Sequence, residues 1–213
     1  MQWHADELID RITQQLQKQR EADDLEQAVY GFDCWSELQL HTLIEQALTD
    51  SSDGVYREVR YPSAWHKRKK SEGVRCDFVL TQDGLPLRDP DLAGTLFSQQ
   101  AAANAEDAYW IEVKVVKQFE AGSRSKKYAH DLLHPVKADV LKIWKDDRLH
   151  HAGLLLILFG QDQSSAEHDL QQWHTHHTQR GYPIAPPTIR GFKINDRVGN
   201  GWCGLGLYPV RRL

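Results

Sequence analysis

The sequence predicts an α/β fold, with helices packed against a mixed central sheet. Three observations carry that expectation. Amphipathic helical segments are interspersed with short runs that alternate apolar and polar residues. The run Ala152 to Phe159 is wholly apolar, as in a strand covered on both faces. The chain has 213 residues, 40% hydrophobic and 26% charged, with a mean hydropathy of −0.60. That composition fits a single domain, 1–213, with enough apolar material for a substantial core.

Element by element, Trp3 to Val29 reads as a polar helix or helical pair with apolar positions Leu8, Ile12, Leu16, Leu25 and Val29. Ser36 to Thr49 is a second helix, with Ser36 as its N-cap and a stripe of Leu40, Leu43, Ile44, Ala47 and Leu48. Val55 to Tyr61 and Val74 to Thr81 are strand-like, the second ending in the turn Gln82-Asp83-Gly84. Positions 83–108 are irregular, with a short helix expected in SQQAAANAEDA. Tyr109 to Val116, rich in aromatic and β-branched residues, is a strand. Tyr128 to Trp144 is a helix that Pro135 must either kink or begin, with Val136, Val140, Ile143 and Trp144 facing the core. Ala166 to Arg180 is a polar helix, and Thr188 to Asn195 pairs with Trp202 to Val210 as a hairpin across Val198-Gly199-Asn200-Gly201. The domain thus divides into an N-terminal helical extension (1–35), a core (36–160) and a C-terminal helix and β-hairpin (161–213).

Composition narrows the function classes. The longest apolar run, 152–160, is far short of a bilayer span, and the early acids of MQWHADELID do not resemble a secretory signal, so no membrane partner is expected. Cys34, Cys76 and Cys203 are odd in number and widely spaced, which fits a reducing cytoplasm better than a disulfide scaffold. The net charge of −4 hides an asymmetry. Positions 1–53 hold 12 acidic and 3 basic residues, whereas 55–75 hold 7 basic and 2 acidic and 114–127 hold 5 basic and 1 acidic. Each basic run alone reads as a solvated face; two together make local potential that attracts a polyanion.

The chemistry-bearing residues are spread over two neighbouring strands. Asp77 sits mid-strand among Cys76, Phe78 and Leu80, where an ionised carboxylate needs a partner. In YWIEVKVVK, Glu112 and Lys114 share one face and the apolar residues take the other. Carboxylates on adjacent strands suit Mg²⁺, with Mn²⁺ as a substitute, and such an ion can lower the pKa of a bound water and neutralise phosphate charge. A lysine beside them can position that water or stabilise the transition state. By itself Glu-x-Lys equally describes an ion pair on a solvated sheet face.

Together with the element order, these residues resemble the PD-(D/E)xK nuclease superfamily, whose restriction-endonuclease-like core runs α-β-β-β-α-β. The resemblance covers 36–159 and maps Asp77 to the first acid, Glu112 to the second and Lys114 to the lysine of the signature. Glu37 matches a further acid that some members use as a metal ligand, although in the first turn of a helix it also reads as a favourable dipole partner. Cys76 stands where many members carry proline, and the 35 positions from Asp77 to Glu112 imply an insertion across 83–108. The resemblance implies a Mg²⁺-dependent phosphodiesterase acting on nucleic acid, DNA rather than RNA. Asp77, Glu112 and Glu37 would hold metal and Lys114 would position or activate water.

Candidate phosphate contacts are Lys67, Arg68, Lys69 and Lys70 in the loop WHKRKK, Arg124, Lys126 and Lys127 after the third strand, and Lys137 in the next helix. Asp139 and Lys142 of that helix read as phosphate-contacting or structural. Tyr61 and Trp65 are candidates for base stacking or for the core rim. His174, His176 and His177 read as a solvated helix face rather than a metal site. A non-catalytic nucleic-acid-binding or protein-interaction member of the same fold stays open, as does an accessory subunit active only in a larger defence or repair assembly. So do a homodimer and a larger assembly.

Overall fold

A computed structural model describes residues 3–49, 53–65, 73–88 and 101–210. The elements are α1 (Ala5–Leu25), α2 (Glu37–Thr49), β1 (Gly54–Arg60), β2 (Arg75–Thr81), β3 (Tyr109–Lys117), a two-stranded ribbon of β4 (Phe119–Glu120) and β5 (Ser123–Arg124), α3 (Tyr128–Lys145), β6 (His151–Gly160), α4 (Gln163–Thr178), β7 (Thr188–Lys193) and β8 (Trp202–Pro209). Six strands form one mixed sheet in the order β1-β2-β3-β6-β8-β7, and helices flank it. Among the strands of this sheet β3 and β6 run parallel, with α3 in the crossover between them, and the other neighbours are antiparallel.

Strand β6 shows why both faces are covered. Leu155, Ile157 and Phe159 join one apolar cluster with Leu8, Ile12 and Leu16 of α1 and Leu40 and Ile44 of α2. Leu154, Leu156 and Leu158, of opposite parity, join a second cluster with Val136 and Val140 of α3 and Leu170 and Trp173 of α4. A strand buried on both sides has no need of polar alternation, hence its continuous apolar run.

The two terminal additions pack on each other. Arg190 of β7 bonds Asp10 of α1 at 2.6 Å, and Arg197 and Asn195 both reach Asp24, each at 2.7 Å. The β7–β8 hairpin forms over Thr188–Lys193 and Trp202–Pro209.

Several expectations need correction. Helix α1 stops at Leu25, and Leu25 and Val29 are exposed because the chain turns away from the sheet there. No helix forms over 101–108: Ala103 bridges to Leu87, Asn104 bonds Asp107, and the buried Trp110 indole donates to the Ala105 carbonyl. The rest of the expected short helix lies outside the described residues. Pro135 neither starts α3 nor ends it; the helix continues through it because Leu132, Val136, Val140 and Ile143 are buried against the sheet. Trp144 is half-exposed, one position beyond that stripe. No helix among the described residues is long and apolar enough to cross a membrane.

Candidate active site

The site is built where β2 and β3 part. They pair only over Phe78–Leu80 and Tyr109–Ile111. Beyond Ile111 the N–H groups on that edge of β3 have no strand partner among the described residues, and carboxylates take that place. Asp77 Oδ2 accepts from the Val113 N–H at 2.7 Å and Glu37 Oε2 accepts from the Val115 N–H at 3.2 Å. Backbone donors left at an unpaired edge must be satisfied, so the parting of the strands recruits both acids. On β1, Glu58 sits opposite Asp77 in left-handed backbone (φ 53°), and the described β1–β2 pairs skip that position.

Glu37 reaches β3 from the first turn of α2. Ser36 and Gln39 cap that helix reciprocally: the Ser36 N–H donates to Gln39 Oε1 at 2.9 Å and the Gln39 N–H to Ser36 Oγ at 3.4 Å. With the cap supplied by its neighbours, the Glu37 carboxylate is free to hold Lys114 Nζ at 3.1 and 3.3 Å.

On β3, Ile111 and Val113 enter the α1/α2 cluster while Trp110 and Val116 enter the α3/α4 cluster. Glu112 and Lys114 therefore share the α3 face, as the alternation predicts. Helix α3 meets them with Asp139 and Lys142. Lys114 Nζ lies 3.7 Å from Asp139 Oδ2, and Lys142 Nζ lies 2.6 Å from Asp139 Oδ1 and 4.0 Å from Glu112 Oε1. Glu112 is buried to 2% exposure and accepts a 2.6 Å hydrogen bond from the Tyr61 hydroxyl. Tyr61 is itself buried and stacked on Trp110, centroids 5.7 Å apart.

Burial, reinforced by the charge of Asp77, pushes the Glu112 carboxyl up to about 8; the Tyr61 hydroxyl and Lys142 pull against that rise. Burial pulls Lys114 down, but Glu37 and Asp139 overcome it and its pKa is raised; Asp139 and Glu112 do the same for Lys142. Both lysines are therefore cations. His41, one turn after Glu37, is buried and lowered by desolvation despite nearby Asp77 and Glu37. Its Nε2 and Asp139 Oδ2 are buried without a hydrogen-bond partner. Among the described residues no three His, Cys, Asp or Glu side chains close on one point as a ready metal cage.

The structure thus brings together Glu37, Asp77, Glu112 and Lys114, and adds Asp139, Lys142, Tyr61 and His41. Sequence reasoning left Asp139 and Lys142 as structural or phosphate-contacting; their i, i+3 spacing was the available signal. Tyr61 is not exposed for base stacking but braces Glu112. Trp65 lies on the rim, its indole bonded to the Arg60 carbonyl and covered by Arg148. Lys67, Arg68, Lys69 and Lys70 lie outside the described residues. Arg124, on β5, and Lys126 and Lys127, leading into α3, are exposed. Lys137 sits over the Tyr182 ring at 5.3 Å, near His177. His177 is core rather than solvated: its Nδ1 bonds the Trp173 carbonyl at 2.8 Å and its ring stacks on Trp173. Against this geometry, no family model, no curated protein and no solved structure matches the chain.

Proposed function

We propose that this chain is a metal-dependent nuclease that hydrolyses phosphodiester bonds, with DNA as the preferred substrate and a restriction-endonuclease-like core formed by α2, β1, β2, β3, α3 and β6. One observation carries the reading. Two carboxylates from separate strands converge on β3: Asp77 accepts from the N–H of Val113, the residue between Glu112 and Lys114, at 2.7 Å, and the Lys114 cation shares a strand face with Glu112. The preference for DNA rests on the family resemblance alone.

The donors present fit a hard divalent cation. Mg²⁺ commonly takes one or two protein carboxylates and completes its shell with water and phosphate oxygens, so Asp77 and Glu112 suffice. Burial and, after it, the charge of Asp77 lift Glu112, and a bound cation would favour its ionised form. When bound, Mg²⁺ or Mn²⁺ supplies charge neutralisation at the phosphate and acidifies a coordinated water. Glu37 is engaged by Lys114 and the Val115 N–H and acts on this reading by fixing the lysine.

Lys114, kept cationic by Glu37 and Asp139, orients the attacking water through its N–H donors and offsets charge on the phosphoryl oxygens. As a cation it cannot take a proton, so its role is positioning and electrostatic. The water oxygen forms the new P–O bond as it loses a proton to solvent, the opposite P–O bond breaks in line, and the leaving oxygen is protonated from solvent. Lys142 flanks the acids and balances their charge.

Cleavage by Lys114→Ala tests this. The variant is expected to stay folded and bind Mg²⁺ by calorimetry while losing cleavage; retained turnover removes Lys114 from the mechanism. Mg²⁺ binding that persists in a folded Asp77→Ala, Glu112→Ala double variant favours the non-catalytic reading.

A further inference from the structure

Beside the carboxylate cluster lies a groove of about 380 Å³. One wall is a single face of α3, where Ala138, Leu141, Lys142 and Lys145 recur at helical spacing. The other is the short turn Pro62–Ala64 with Val74 just before β2. Tyr61, which braces Glu112, also lines it. The walls are pinned together: the buried Asp146 accepts from the Ser63 N–H at 2.6 Å, and the Arg148 guanidinium donates to the Pro62 carbonyl. A groove held this way is formed before any ligand arrives.

Its chemistry is two-part. Ala64, Val74, Ala138 and Leu141 offer apolar surface on facing sides, and Val74 is half-exposed. Lys142 and Lys145 put cationic groups on one rim, and Lys142 is also the residue that touches Asp139 and approaches Glu112. A ligand with a flat apolar body and an anionic tail matches that arrangement, and the volume is within the usual range for small-molecule sites, roughly 300–1,000 Å³. A nucleotide is such a ligand, but only when its base is out of the stack, because a paired base cannot leave the duplex without unstacking.

We propose that this groove receives one unstacked nucleotide next to the scissile phosphate, so that the preferred substrate carries an unpaired stretch rather than continuous duplex. The inference rests on the nuclease reading for its link to cleavage, but binding in the groove is measurable without cleavage. The base lies between Val74 and the Ala138–Leu141 face, and its phosphate meets Lys142 and Lys145.

The test is fluorescence titration in EDTA, where no metal-dependent cleavage runs, using a short single-stranded oligodeoxynucleotide with one 2-aminopurine and its blunt duplex form. The single strand should bind more tightly and change the 2-aminopurine emission. Ala138→Phe, at an exposed helix position, fills the groove and should weaken single-strand binding by roughly tenfold or more while leaving duplex binding within about twofold. Val74→Glu, from the opposite wall, should do the same and guards against a folding defect in the first variant. Equal binding of both forms, binding of neither, or single-strand affinity unchanged in both variants would overturn the proposal. Groove binding that behaves as expected in a protein that cuts nothing with Mg²⁺ or Mn²⁺ would sink the nuclease reading alone.

Discussion

The Tyr61 hydroxyl donates to Glu112 Oε1 at 2.6 Å, tying the residue just after β1 to the middle of β3 across 51 positions of sequence. Both side chains are almost wholly buried, so this bond is the main compensation for placing a carboxyl group there. Tyr61→Phe removes the donor and keeps the ring on Trp110. The loss should be about 1–3 kcal/mol in urea denaturation, because the acceptor stays buried and unsatisfied. Apparent Mg²⁺ affinity at neutral pH should also fall, since Glu112 then holds its proton more tightly.

Glu112 gives a pH signature of defined sign. Its ordinary value is 4.5 and in the fold it is about 8. Between those values the folded chain holds a proton that the unfolded chain has lost, so this group's stabilisation is complete below 4.5 and declines as pH rises toward 8. The slope is at most about 1.4 kcal/mol per pH unit. Glu112→Gln should flatten the stability profile relative to the natural chain over that window. If the carboxylate binds Mg²⁺, saturating Mg²⁺ should flatten the natural profile too.

Glu37 tests whether fixing Lys114 matters to turnover. Its carboxylate is partly exposed, so the ion pair itself adds little stability, under about 1 kcal/mol. Glu37→Gln keeps an oxygen for the Val115 N–H but no longer holds the lysine by charge. Melting should barely change, while cleavage at saturating Mg²⁺ should slow by roughly tenfold or more. An unchanged rate would show that Asp139 alone positions Lys114.

The turn before β8 offers a test of the fold itself. Gly199 has φ 109°, and a Cβ there would lie 2.6 Å from the Phe119 ring. The neighbouring Asn200 accepts from the Phe119 N–H at 3.1 Å and donates to buried Asp33 at 3.0 Å, so the turn cannot shift freely. Gly199→Ala should cost roughly 3 kcal/mol in thermal or urea unfolding.

Much of this site was legible because strands have a two-residue period. YWIEVKVVK alone places Glu112 and Lys114 on one face, and a mid-strand Asp77 among apolar neighbours announces a partnered acid. What periodicity cannot encode is which distant group supplies the partner. The reach of Glu37 to Lys114 spans 77 positions and depends on β2 leaving β3 beyond Ile111. Tyr61, an aromatic residue at a strand end, gave no sign that it points inward. On α3 the polar edge is wide, so Lys137 and the Asp139–Lys142 pair were indistinguishable until the helix was docked. For His177 a signal was present: Trp173, four residues earlier, marks the same helix face as buried.

Incubating the protein with circular and linear, single- and double-stranded DNA and with RNA, in Mg²⁺, Mn²⁺ or EDTA, beside Asp77→Ala, separates a nuclease from a binding module. Metal-dependent cutting is expected, strongest on DNA with unpaired stretches, absent in EDTA and lost in the variant. Cutting that survives in Asp77→Ala, or a folded protein that cuts none of these substrates in either metal, would contradict the nuclease reading.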